Sequence, residues 1–243
     1  MESDLLTFVL VGFAAQLIDG ALGMAYGITA TSLLLSTGVP PAAASATVHV
    51  AECFTSGVSA VSHHAFGNID RDLVRRLVLP AVVGAVLGAY VLTSVPADAM
   101  RPIIAVYLLL MGVVIIVKAF RGFPPRSVTR HLAPLGLVGG FVDAAGGGGW
   151  GPIVASNLLA RGAAIRTTVG SVIAVEFFVT TAASVAFIVM LGTIFWEIVL
   201  GLALGGLVAA PLGAWLASRL PARPFLVVVG LLIIGLSLRN LLV

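Results

Sequence analysis

Charge is scarce in this chain. Lysine and arginine number 13, aspartate and glutamate 10, and only 9% of the 243 residues carry full charge, against about 25% in an average soluble domain. Hydrophobic residues make up 60%, and the mean hydropathy is +1.15. A water-soluble fold of this size cannot hide so much apolar surface behind so few charges. Soluble enzymes, nucleic-acid binders and disordered chains are excluded on that ground. Cysteine is almost missing: Cys53 stands alone, so there is no internal disulfide and no thiolate metal site. The four histidines (His49, His63, His64, His131) are too scattered for a zinc motif, and no metal or cofactor is expected. No G-x-x-x-x-G-K-[ST] loop occurs, so the chain holds no ATP-binding motif of that kind. The opening Met-Glu-Ser-Asp lacks a positive n-region, and no cleavable signal is expected. The isoelectric point near 9.6 rests on a net charge of only +3, which is no argument for nucleic acid as a partner.

What the chain has is long apolar runs, several near the ~20 residues that cross a bilayer core. They are arranged as one pattern written twice. DGALGMAYG at 19–27 returns as DAAGGGGWG at 143–151, an offset of 124 residues. At that offset Gly38 meets Gly162, Thr47 meets Ser171 and Glu52 meets Glu176. After one residue of slippage, Gly67 meets Gly192, Asp72 meets Glu197, and Gly88-Ala89-Tyr90 meets Gly213-Ala214-Trp215. The expected fold is an all-α polytopic membrane protein of two homologous repeats. Repeat 1 is 1–120, with a broken hairpin at 5–36 and helices at 42–66, 73–94 and 100–119. A basic, Pro-containing linker occupies 121–130. Repeat 2 is 131–243, with a broken hairpin at 131–160 and helices at 166–191, 195–218 and 224–242.

The broken segment decides the topology. Its first apolar stretch, 5–18, would make about 21 Å of helix and its second, 26–36, about 16 Å. Neither spans comfortably. They form either one bent span, which gives parallel repeats, or a re-entrant hairpin, which gives inverted repeats. Basic residues favour the cytoplasmic side. With the linker inside, the hairpin places 11 of the 13 Lys and Arg inside, leaving only Arg101 and Arg239 outside; the bent span splits them 8 to 5. Inverted-topology repeats with both termini outside are therefore expected.

Inverted repeats with interrupted helices are a transporter architecture. A helix starting in mid-membrane offers unpaired N–H groups and a positive dipole end to an anion. Gly146, Gly147, Gly148 and Gly149 would unwind a helix and expose such backbone; Gly20, Gly23 and Gly27 are the first repeat's version. Close helix packing is the competing role and suits Gly84, Gly88, Gly205 and Gly206 well. Four acids lie in apolar surroundings: Asp19, Glu52, Asp143 and Glu176. Asp19 and Asp143 are either ligands or caps of the second half-helix. Glu52 and Glu176, with His49 three residues before Glu52, are expected to carry protons. Ser45, His49, Glu52, Ser56, Ser59 and His63 form one helical stripe, and Glu176, Thr180 and Ser184 its counterpart; both should face a central cavity. His63 and His64 are expected in solvent at the inner interface. Tyr26 and Trp150 hold matched positions and either wall the site or pack. Backbone amides suggest an anion while the buried side chains are acidic. Proton coupling reconciles the two; so does a cation bound by carboxylates. An intramembrane hydrolase using Asp19 and Asp143 as a dyad, and a passive channel, are the readings from other classes.

The doubled Gly-rich break, the Ala46-Thr47 and Gly170-Ser171 segments, and the Gly-Asn-Ile-Asp and Gly-Thr-Ile-Phe-Trp turns resemble the TauE/SafE sulfite exporter family, also called the toluene sulfonate uptake permeases. The second copy, 146–151 followed by Pro152, is nearest the family pattern; the first lacks the Gly run and the Pro. The resemblance implies a cytoplasmic-membrane carrier of sulfite, sulfate, thiosulfate or organosulfonates, commonly proton-coupled, and adds Thr47 and Ser171 to the expected binding residues. Glu52 and Glu176 are outside that pattern. The expected partners are a small anion, the lipid bilayer and a second copy of the chain.

Overall fold

A computed structural model describes residues 2–120, 131–161, 163–217 and 222–242. The expected linker 121–130, Gly162 and residues 218–221 lie outside the described residues. The segment expected as repeat 1 holds α1 (Glu2–Leu22), α2 (Tyr26–Ser36), α3 (Pro41–Ala65), α4 (Arg71–Ser94) and α5 (Ala97–Phe120). Repeat 2 comprises α6 (Leu132–Gly146), a wide helical turn at Gly151–Ala155 running into α7 (Ser156–Ala160), then α8 (Ile165–Leu191), α9 (Trp196–Leu216) and α10 (Ala222–Leu242). No strand occurs among the described residues. Five helices are long and apolar enough to cross a membrane. The chain is an all-helical polytopic membrane protein. α3 has 25 residues, but its polar stripe lowers its hydropathy, and that stripe is buried inside the protein rather than facing lipid.

One expectation is corrected. The first limb of hairpin 1 is not a half-length helix ending at residue 18: α1 has 21 residues, and Leu5–Leu22 is one of the five membrane-crossing stretches. Asp19 and Gly20, which open the expected break, both continue the helix. Gly20 lies against the α9 backbone, where a Cβ would stand 3.1 Å from Gly213 Cα, and the Asp19 side chain turns forward to the Tyr26 amide. The helix stops at Gly23, at φ +69°, and Ala25 is held at φ 110° before α2 begins.

Each repeat's first helix packs on the other repeat's fourth. α1 lies along α9 and α6 along α4, while α3 packs on α8 and α5 on α10. Glycine makes these approaches close. A Cβ at Gly205 would fall 1.9 Å from Val9 O, at Gly84 2.1 Å from Leu137 O, at Gly88 2.3 Å from Phe141 O and at Gly206 2.3 Å from Thr55 Cγ2. The contacts also give direction. Along α1 and α9, Leu5 meets Gly201, Val9 meets Gly205 and Gly20 meets Gly213, so these two run parallel. Along α3 and α9, Thr47 meets Phe195 and Thr55 meets Gly206, again parallel. Along α3 and α8, Cys53 meets Thr181, Gly57 meets Phe177 and Asp70 meets Ser171; these run antiparallel.

Lipid tails supply no hydrophobic drive between helices, so such van der Waals seams hold the bundle. Gly205→Val should lower stability in detergent by about 1–3 kcal/mol, the usual cost of overpacking. Gly235→Ala, where nothing lies within 4 Å of a new Cβ, should cost nothing. Thermal unfolding of both variants checks this, and equal melting temperatures would contradict it.

Candidate functional site

The two helix breaks meet at the centre of the molecule. A Cβ on Gly27 would stand 2.9 Å from Gly148 Cα, and one on Gly151 would stand 2.2 Å from Gly23 O and 2.4 Å from Met24 Cα. Gly27 and Gly151 are repeat mates, as are Met24 and Gly148, so the crossing has two matching halves. The glycine run occupies backbone space that other residues cannot. Gly147 has φ +71°, Gly148 +129° and Gly149 +154°. A Cβ at Gly146 would strike Tyr107 Cε1 at 2.5 Å, at Gly147 Thr31 Cγ2 at 2.4 Å, and at Gly149 the Tyr107 hydroxyl at 1.9 Å. Thr31 Oγ1 donates to Gly147 O, and the Tyr107 hydroxyl donates to Gly148 O at 2.9 Å.

The amides of the second break converge on one residue. Gly147 N and Gly148 N donate to Asp143 O, the latter at 2.8 Å. Trp150 N, at the start of the second half-helix, donates to Asp143 Oδ1 at 2.8 Å. Asp143 therefore caps that half-helix from seven residues upstream. Its other oxygen, Oδ2, lies 3.1 Å from His49 Nε2. His49 Nδ1 donates to Ser45 O at 2.8 Å, which leaves Nε2 facing the carboxylate. Ser45 Oγ donates to Ala144 O at 2.8 Å. In repeat 1, the Asp19 carboxyl lies near the Tyr26 amide, but its side-chain neighbour is Glu176, not a histidine. Position 173, the counterpart of His49, is isoleucine.

All four acids are buried, Asp19, Glu52 and Asp143 at 2% exposure and Glu176 at 4%. Glu52 lies beside the Gly27 amide. Several polar atoms here have no partner: Asp19 Oδ1, Glu52 Oε2, Glu176 Oε2, Tyr26 OH and Gln16 Nε2. Ser56 and Thr180, repeat mates, face each other at 3.5 Å across the α3–α8 seam. Among the described residues, no group of three or more His, Cys, Asp or Glu side chains could hold a metal ion.

Not every expected residue is at the crossing. Thr47 and Ser171 are buried but tie loops at opposite ends of the α3–α8 pair: Thr47 Oγ1 accepts from Phe195 N at 3.3 Å, Ser171 Oγ from Asp70 N at 2.7 Å. Trp150 is fully buried and donates Nε1–H to Val172 O at 2.9 Å. His63 is corrected: it is not solvated like exposed His64 but buried, donating Nε2–H to Gly20 O at 2.9 Å while Nδ1 accepts from Asn68 at 3.1 Å. The carbonyls of Gly20 and Ala144, matched in the repeats, are thus satisfied by different side chains. Sequence reasoning missed Tyr107, Thr31 and Gln16. They are uncharged residues in apolar helices, and a search restricted to ionisable groups passes over them.

The model of the family described as "Sulfite exporter TauE/SafE" matches residues 8–240. The chain belongs to the TauE/SafE sulfite exporter family. It is 42% identical over 98% of its length to "Probable membrane transporter protein YtnM" of Bacillus subtilis (strain 168), covering 83% of that protein. It is 28% identical over 98% of its length to "Probable membrane transporter protein ORF9" of Sinorhizobium sp, covering 92% of it. No solved structure matches. As a TauE/SafE member with several apolar helices, the chain is a multi-pass membrane transporter. Asp143→Ala should strand the Trp150 amide and His49 Nε2 in a dry interior, a loss of about 1–3 kcal/mol. Asp143→Asn, which still accepts from Trp150, should lose less. Melting temperatures in detergent rank the two, and the reverse order would contradict the capping role.

Proposed function

We propose that this chain is a secondary carrier of a small sulfur-containing anion (sulfite, sulfate, thiosulfate or an organosulfonate) across the cytoplasmic membrane, coupled to protons. The sulfur chemistry rests on the family description. The observation that carries the mechanism is the carboxylate on each half-helix N-terminus: Asp143 on the Trp150 amide, Asp19 on the Tyr26 amide. A helix N-terminus accepts any small anion by the same N–H groups and dipole. The side-chain carboxylates occupy the place of the cargo, and a proton delivered to them frees the amides for it. His49 beside Asp143 Oδ2 is the donor positioned for that exchange. The unpartnered oxygens of Asp19, Glu52 and Glu176 and the Tyr26 hydroxyl supply further proton and ligand contacts in the same space. Four carboxyls enclosed at low dielectric need protons or a counter-ion, since their mutual repulsion is unscreened there.

Inverted repeats with re-entrant hairpins are supported by helix direction. α1 and α3 both run parallel to α9, so the intervening α2 reverses, as in a hairpin and unlike a bent span. The repeat mates α3 and α8 run antiparallel, as inversion requires. With the basic loops inside, both termini lie outside. We take 1–120 and 131–243 as the two units that rock about the crossing.

A carboxylate-bound cation is the other transporter reading, and the flux assay separates it from the first. An aspartyl dyad needs its two carboxyls on each other. Here Asp143 is committed to Trp150 and His49, and Asp19 faces Tyr26 and Glu176. The function is tested by radiolabelled sulfite and sulfate flux in proteoliposomes with an imposed pH gradient. Flux should follow the gradient. Asp143→Asn should flatten its pH dependence, and Glu52→Gln and Glu176→Gln should each shift it. Metal movement without sulfur-anion movement would reject the reading.

A further inference from the structure

A cavity of about 240 Å³ opens where the ends of three helices meet, lined by Leu35–Gly38, Arg101, Arg239 and Asn240. It lies at the C-terminal end of α2, the N-terminal end of α5 and the C-terminal end of α10. Arg101 and Arg239 are the two basic residues that the charge count leaves on the outside. Arg101 donates Nη2–H to Gly38 O at 2.7 Å, which fixes its guanidinium at the rim and leaves other N–H groups over. Arg239 makes no hydrogen bond or ion pair among the described residues, and Asp98, one turn before Arg101, forms no ion pair with it.

A helix C-terminus attracts a cation by itself, and that accounts for one arginine near each of α2 and α10. It does not account for what lies below them. Asn240 Nδ2 donates to Ser32 O at 3.5 Å, so α10 leans on α2 beneath the cavity. One turn deeper on each helix, the hydroxyls of Ser32, Thr29 and Ser237 are all more than nine-tenths buried and have no partner. Ser36, Ser32 and Thr29 share one face of α2, leading from the cavity towards the break at Ala25. Unpartnered hydroxyls in a hydrocarbon-embedded seam cost free energy unless something polar visits them.

We propose that this cavity is an extracytoplasmic binding site for a small oxyanion, held by Arg101 and Arg239, from which the hydroxyl track of α2 and α10 leads to the crossing. Naming the carrier's own sulfur anion as the occupant rests on the function proposed above. An anionic phospholipid phosphate has the same chemistry, and the test separates the two. Phenylglyoxal modifies free guanidinium groups, and mass spectrometry reads its rate at Arg101 and Arg239 individually in the full chain. In phosphatidylcholine vesicles, sulfate should slow modification of both arginines about fivefold or more, and chloride at equal ionic strength should not. In a parallel flux assay, R101Q/R239Q should raise the KM for external sulfite about tenfold with kcat nearly unchanged, and R101K/R239K should recover most of it. Protection by sulfate together with no sulfur-anion flux in the wild type keeps the site and overturns the proposed cargo. Flux without protection, or an unchanged KM in R101Q/R239Q, keeps the cargo and overturns the site. Protection seen only with phosphatidylglycerol vesicles assigns the cavity to lipid phosphate and overturns it as well.

Discussion

A broken helix inside a bilayer leaves peptide N–H groups that lipid cannot satisfy, each costing several kcal/mol if left bare. In this protein the freed amides are met by a carboxylate from the helix just ended. Asp143 closes three of them, at Gly147, Gly148 and Trp150, with its carbonyl and one side-chain oxygen. Everything near the centre follows from that solution. The remaining carboxylate oxygen needs a partner in a buried site, and His49 Nε2 lies against it. The chain must turn without a Cβ, so three successive residues with positive φ are glycine. Tyr107 and Thr31 then fill the groove those glycines leave and take the exposed carbonyls. A site that stabilises its own anion this way is also a site that another anion can enter.

The two halves solve the problem unequally. At the second break the carboxylate is paired with an imidazole; at the first, Asp19 meets the Glu176 carboxyl, because isoleucine stands where His49 would be. One half-site sets an acid against a base, and the other sets two acids side by side. Under the proposed mechanism, this difference lets the two half-sites load and unload protons under different conditions. A carrier with two identical half-sites would lack that handle.

Much of the architecture was legible because membranes impose few alternatives. The apolar runs, the doubled Gly-rich stretch and the paired acids are direct consequences of backbone satisfaction and burial. The helix breaks lie at 23–25 and 147–150, inside the two glycine-rich stretches. What escaped were facts about who touches whom. Asp19 and Gly20 look like breakers, yet α9 offers Gly213 as a flat surface and the helix continues. His63 reads as an interfacial residue from its place near a helix end. Its burial depends on Asn68 and on the Gly20 carbonyl, 43 residues away in the chain. Thr47 and Ser171 look alike in the repeats and are alike in the fold, but as ties on loops. Side chains bond across the pseudo-symmetric interface, and no periodicity within one helix reports that partner.

Those ties bear on how the carrier changes state. α3 and α8 are held together at both ends. At one end Ser171 on α8 takes the Asp70 amide just after α3; at the other Thr47 on α3 takes the Phe195 amide just after α8. These two ties correspond to each other in the repeats and make the two ends alike. Arg166 breaks the tie. Its guanidinium bonds Asn68 Oδ1 and Phe66 O at the first end only, and the residue in the corresponding place at the other end is Ala42. One hydrogen bond worth about 1 kcal/mol net already shifts a two-state balance about fivefold. Under the proposed mechanism, that bias favours the state in which the end carrying Arg166 is shut. Because an equal-affinity ligand shifts nothing, a carrier working as proposed needs cargo and proton together to favour the state in which those Arg166 bonds are broken.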